Sequence, residues 1–145
     1  GSRLQPGGRD LWLLSTGTGV APFVAIVSDE SIMDKYERVF LVHGVRNWNE
    51  TQYLQHVLKL QPKLRVMASV TRDAGAMIDV RIPDALESGL LEATAEAEIT
   101  PQASRVMLCG NPAMVKAVRA AMRARGIVSP RNGEPGQLLA ENFWL

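Results

Sequence analysis

Leu11-Trp12-Leu13-Leu14-Ser15-Thr16-Gly17-Thr18-Gly19-Val20-Ala21-Pro22 is the stretch that decides the fold. It opens as an apolar run without polar alternation and stops at glycines. A strand with one wet face alternates; a strand covered on both faces, as in a parallel sheet, does not. Behind the glycines the sequence turns apolar again around Pro22. Proline suits the first turn of a helix, where it has no N–H to lose and its φ is preset. Strand, glycine turn and helix make the first half of a βαβ unit. The helix is expected over residues 20–31.

The same rhythm recurs outward from this point. Further strands are expected at 38–45, 64–71, 104–110 and 137–140. Helices are expected at 49–61, with Thr51 as a cap and Tyr53, Leu54, Val57 and Leu58 facing inward, then near 83–97, and at 112–125 before Gly126. In the last of these, Val115, Val118 and Met122 face inward and Lys116, Arg119 and Arg123 lie on another face. A βαβ unit takes about 30 residues, so 145 residues accommodate about five strands in one domain. The expected class is α/β, a three-layer Rossmann-like domain on a parallel sheet.

Composition narrows the function. Hydrophobic residues make up 46% and charged residues 21%, which excludes a disordered tail. No apolar run approaches the roughly 20 residues that span a bilayer, and no secretory signal is visible. A cytoplasmic protein without a membrane partner is expected. One cysteine and two histidines make neither a disulfide nor a metal cluster. Sixteen basic and fifteen acidic residues leave a net charge of +1, little basis for a nucleic-acid partner. Twelve of the basic residues are arginines, whose planar fork holds phosphate in a bidentate grip. Gly1-Ser2 reads as a cleavage scar, leaving residues 3–145 as the domain, and Gln5-Pro6-Gly7-Gly8 reads as a linker from a preceding domain.

Ligands of parallel sheets bind outside the carboxyl ends of the strands. Thr16, Gly17, Thr18 and Gly19 follow the first strand, where a helix N-terminus offers N–H groups to a diphosphate. The stretch departs from G-x-G-x-x-G/A, with Pro22 in the last place, and it is no Walker loop. A tight turn without a ligand is the other reading. Arg46 follows the second strand, Thr71 and Arg72 end the third, and Arg81 lies nine residues on. An acid after the second strand would bind a ribose 2′-hydroxyl, whereas arginine accommodates a 2′-phosphate. No acid occurs in 42–46, which favours NADP over NAD; solvated surface arginines are the alternative. Cys109, before Gly110, Asn111 and Pro112, reads as a small buried hydrophobe, since no paired histidine would activate it. His43 reads as a satisfied core or edge histidine. Tyr36 and Trp48 are candidates to stack on an adenine or to pack. The basic face of the last helix is either solvated or a dock for an acidic partner. Glu141-Asn142-Phe143-Trp144-Leu145 places two aromatics at the chain end, where they need a surface to cover.

These motifs resemble the NADP-binding domain of bacterial ferredoxin/flavodoxin–NADP⁺ reductases. Leu14 to Phe23 looks like that family's diphosphate loop. Val42-His43-Gly44-Val45-Arg46, Val70-Thr71-Arg72-Asp73, Arg81-Ile82 and Met107-Leu108-Cys109-Gly110-Asn111-Pro112 match in order, and Glu141 to Trp144 resembles the family's tail. The resemblance implies a five-stranded sheet in the order 3-2-1-4-5. It implies NADP(H) as ligand, and FAD and ferredoxin or flavodoxin as cofactor and partner of the parent enzyme. Thr16, Gly17, Thr18, Gly19, Gly110 and Asn111 would hold the nucleotide. Arg46, Thr71, Arg72 and Arg81 would surround the 2′-phosphate. Cys109 and Glu141 would stand near the reacting atoms, Cys109 in a positioning role, and Phe143 and Trp144 would lie against the flavin. Asp73 stands where Glu is more usual, and Leu145 extends past the tryptophan. The family's N-terminal FAD-binding barrel, with its Arg-x-Tyr-Ser-type motif, is not in this sequence. The domain alone is therefore expected to lack NADPH-dependent dye reduction. A reductase component of an oxygenase or a flavohaemoprotein, and a non-catalytic nucleotide-binding or docking module, are the alternatives.

Overall fold

The computed structural model describes residues 4–52 and 61–140, with Thr18 described by its backbone alone. Its five strands are β1 (Asp10–Thr16), β2 (Arg38–Val45), β3 (Leu64–Val70), β4 (Ser104–Cys109) and β5 (Leu138–Ala140). They form one sheet in the order β3-β2-β1-β4-β5, every pairing parallel, as the resemblance implied. Six of the seven β1 residues are buried, which explains the unbroken apolar run. Trp12, Leu14, Phe40, Val42, Val106 and Leu108 face one core, and Leu11, Leu13, Val39, Leu41, Met107 and Cys109 face the other. The first core is closed by α3 (Ile82–Ser88), α4 (Leu90–Ala95) and α5 (Pro112–Arg123). The second is closed by α1 (Val20–Val27) and α2 (Glu30–Met33). Trp12 stacks on Phe40 at 4.2 Å between ring centroids. No helix among the described residues is long and apolar enough to cross a membrane.

Several elements differ from the sequence expectation for identifiable reasons. The helix expected over 20–31 breaks at Ser28 and Asp29. Ser28 donates its hydroxyl back to Val24 O, while Asp29 goes extended and its carboxylate takes Ser31 N at 2.9 Å, starting α2. The helix expected near 83–97 splits at Gly89, whose φ of +84° ends one helix and starts the next. The last helix regularly ends at Arg123 rather than Arg125, and its innermost residues are Met114, Val118 and Met122, with Val115 half-buried. Trp48–Thr51 is a 3₁₀ turn in which the Thr51 hydroxyl donates to Trp48 O instead of capping. The remainder of that expected helix, with Tyr53, Leu54, Val57 and Leu58, lies outside the described residues.

Two polar knots hold the amino end of the sheet. The buried Asp10 carboxylate takes a fork from Arg38 at 2.8 and 2.9 Å and a second from Arg9. Burial pushes its carboxyl up, but the hydrogen bonds and charges of Arg38 and Arg9 outweigh that and hold it below the usual carboxylate range. Asp10→Asn keeps the shape and strands two guanidinium groups. We expect a loss of about 2–4 kcal/mol of stability in urea unfolding, with nucleotide binding unchanged. In the second knot the buried Arg105 donates to the carbonyl oxygens of Gln5, Pro6, Pro101 and Ser104. The segment that reads as a linker is thereby docked on the domain, its Gly8 leaving room for the Arg105 side chain.

Candidate functional site

The carboxyl ends of β1 to β4 open onto one cavity of about 920 Å³. Its walls include Thr16, Gly17, Gly19, Arg46, Thr71, Arg72, Gly110 and Asn111, expected at four separate strand ends, and Arg81, expected nine residues beyond the third. Glu50, Ser69 and Asp84 also line it and were not singled out by the sequence reading. Glu141, Phe143 and Trp144 lie outside the described residues, as does the Thr18 side chain.

The β1 turn and the β4 end are built against each other. Gly110 has φ +137°, and a Cβ there would lie 2.8 Å from Thr16 N. A Cβ on Gly19 would lie 2.7 Å from the Cys109 carbonyl carbon. Only glycine lets these two backbones close up. Once they have, Thr16 Oγ1 accepts from Asn111 N at 2.8 Å, and Asn111 Oδ1 accepts from Ala113 N and Met114 N, capping α5. Two helix starts, α1 and α5, thus border one cleft, an arrangement suited to a phosphate chain.

The arginine side is assembled by a second set of contacts. Beyond the strand ends, Thr71 N donates to Val45 O at 3.2 Å and Arg72 N to Arg46 O at 2.8 Å, so the β2–β3 pairing carries both arginines forward together. Asp73 staples the two loops: its carboxylate takes Trp48 N at 2.7 Å and Asn47 Nδ2 at 3.2 Å. Trp48 Nε1 donates to Ala74 O, so this tryptophan serves the staple. Arg81 arrives because the chain after Arg72 folds back on β3. Val70 N donates to Ile78 O, and the Ser69 hydroxyl to Val80 O. Arg81 then stands at the N-cap of α3. Arg46, Thr71, Arg72 and Arg81 are all exposed to the cavity mouth. Tyr36, the other aromatic considered for adenine, precedes β2 at the opposite end of the sheet and cannot reach this cavity.

Beneath the turn, His43, Ser15 and Cys109 stand side by side across β2, β1 and β4. All three are buried, so Cys109 does not line the cavity. The Ser15 hydroxyl and His43 Nδ1 share a hydrogen bond of 2.8 Å, the satisfied histidine that the sequence reading expected. Burial pushes the His43 imidazole below its ordinary value, against the opposing pull of Ser15 and Glu50. The unfolded chain binds a proton at about pH 6.5, the folded chain only lower. The contribution of His43 is therefore complete above about pH 6.5 and is lost as pH falls toward the depressed value. His43→Gln is expected to flatten the pH dependence of urea unfolding in that window.

The cleft fits a nucleotide: glycine-cleared backbones and two helix starts on one side, three arginines on the other. Comparison with known proteins agrees. The oxidoreductase NAD-binding domain family matches residues 13–120. The chain is 40% identical over 150 residues to ferredoxin–NADP reductase A of Sorangium cellulosum, covering 95% of this chain and 53% of that protein. It is 37% identical over 157 residues to the ferredoxin–NADP reductase of Azotobacter vinelandii, covering 99% and 60%. The chain thus spans between half and two thirds of the length of these relatives. Among solved structures, a ferredoxin NADP⁺ reductase from Neisseria gonorrhoeae with bound FAD and NADP superimposes with a TM-score of 0.88 at 32% identity, over 97% of this chain and 58% of that one. The chain belongs to the oxidoreductase NAD-binding domain family.

Proposed function

We propose that residues 3–145 are the NADP(H)-binding domain of a ferredoxin/flavodoxin–NADP⁺ reductase whose parent protein carries an N-terminal FAD-binding barrel. The observation that carries this reading is the convergence of Arg46, Arg72 and Arg81 on a cleft bordered by Gly19 and Gly110. Arg46, Thr71, Arg72 and Arg81 take the 2′-phosphate. Thr16, Gly17, Thr18, Gly19, Gly110 and Asn111 take the diphosphate and the nicotinamide ribose side. Cys109 and Glu141 stand near the reacting end, and Phe143 and Trp144 against the flavin. The chain's part in the reaction is positional: it holds nicotinamide C4 where the hydride can pass. FAD would supply the N5 acceptor and the one-electron chemistry toward ferredoxin or flavodoxin. A cytoplasmic location fits a chain whose single cysteine is buried in the sheet.

The oxygenase-reductase, flavohaemoprotein and non-catalytic readings have less support, because the curated relatives described above are ferredoxin–NADP reductases. The test is recombination. Joined to the FAD-binding half of such a reductase, the chain should restore NADPH-dependent dye reduction and show a preference over NADH. A joined protein that holds FAD and leaves NADPH unoxidised would contradict the proposal.

A further inference from the structure

A second concavity lies at the outer edge of the sheet, between the last turns of α5 and the segment that leads into β5. It has a volume of about 580 Å³ and is lined by Arg119, Arg123, Val128, Ser129, Pro130 and Arg131. It shares no lining residue with the strand-end cleft. Arg119 and Arg123 are one helical turn apart, so their side chains rise on the same face.

The charges here are unbalanced. Elsewhere Arg9, Arg38 and Arg125 each meet a carboxylate. Among the described residues Arg119, Arg123 and Arg131 form no ion pair, and no acid occurs in the sequence from 110 to 133. Moreover, Arg119 Nε and Ser129 Oγ are buried with no hydrogen-bond partner among the described residues. Arg119 Nη2 donates to Ala140 O at 3.5 Å. Buried donors without acceptors are costly, and three like charges around one hollow add to that cost. An anion entering the hollow would balance this charge.

We propose that this hollow is an anion site for the phosphate ester of a small molecule, separate from the dinucleotide cleft. A phosphate group presents oxygens in several directions at once, enough for the guanidinium groups of Arg119, Arg123 and Arg131 that line the hollow. A carboxylate presents only two oxygens in one plane. The volume exceeds what a bare phosphate needs and falls within the ~300–1,000 Å³ range of small-molecule sites. Val128 and Pro130 supply an apolar wall for the organic remainder.

The experiment is a titration of the full chain followed by NMR at the Arg119 Nε–H and at the backbone amides of Val128, Ser129 and Arg131. Signals of Gly110 and Asn111 report the dinucleotide cleft separately, so failure of one site does not imply failure of the other. The probes are inorganic phosphate, phenyl phosphate and a poly-glutamate peptide. We expect saturable shifts at the Arg119 group of signals, with phenyl phosphate binding more tightly than inorganic phosphate. Arg123→Ala and Arg131→Ala, both at exposed positions, should each weaken it about tenfold without loss of fold. No saturable shift, an unchanged affinity in both variants, or tighter binding of poly-glutamate than of phenyl phosphate would overturn the proposal. The last result would assign the hollow to an acidic protein segment.

Discussion

Gly110→Ala is expected to remove nucleotide binding and to destabilise the domain by about 3 kcal/mol or more. Two penalties fall on one atom. The φ of +137° is a conformation that alanine adopts only under strain. The added Cβ would also press on Thr16, whose backbone nitrogen lies 2.8 Å from that position and whose hydroxyl and carbonyl are no farther away. Backbone cannot step aside as a side chain can. The β1 turn and β4 end would part, and with them the bond from Asn111 N to Thr16 Oγ1. Gly133→Ala is the control. Gly133 also has positive φ, +83°, but nothing lies within 4 Å of its Cβ position. That variant should lose only about 1 kcal/mol and keep its affinity. Urea unfolding and nucleotide titration of the two variants separate backbone strain from the close approach that builds the cleft.

Arg46→Ala combined with Arg72→Ala should have the largest effect on ligand choice. The two residues are carried forward as a pair by the bond from Arg72 N to Arg46 O. Each charge-assisted contact to a phosphate contributes about 1.5–3 kcal/mol, so the double variant should bind 2′-phospho-AMP at least about a hundredfold more weakly. AMP lacks the 2′-phosphate and should bind almost as before. Both side chains are exposed, so stability should not change. Arg72→Lys should recover part of the loss only, because an ammonium cannot make the bidentate fork.

The strands were legible because burial on both faces erases alternation, as in 11–16, where every residue up to Ser15 is buried. Four of their ends were legible too, since Gly17, Arg46 and Gly110 follow β1, β2 and β4 directly and Arg72 follows β3 after Thr71, and the parallel sheet gathers those ends on one edge. Local breaks were harder to see. Asp29 acts as a helix cap only because the chain turns extended there, and Gly89 divides a stretch whose apolar spacing runs on through it. Long-range polar contacts left no signal. Asp73 looked like a departure from a family pattern, yet it joins the loops of β2 and β3 through Trp48 N and Asn47. Arg105 reads as one more basic residue, but it pins the segment that looked like a free linker. Tyr36 has a ring fit to stack on an adenine, but its place at the amino end of β2 decides against that role.

The most direct measurement of the central claim is calorimetric titration of the unaltered chain with 2′-phospho-AMP and with AMP at fixed, low salt. Three arginines around one cleft predict that 2′-phospho-AMP binds more tightly by at least about tenfold, and that the preference shrinks as salt rises. Equal affinities for the two nucleotides, or a preference untouched by Arg72→Ala, would contradict the assignment.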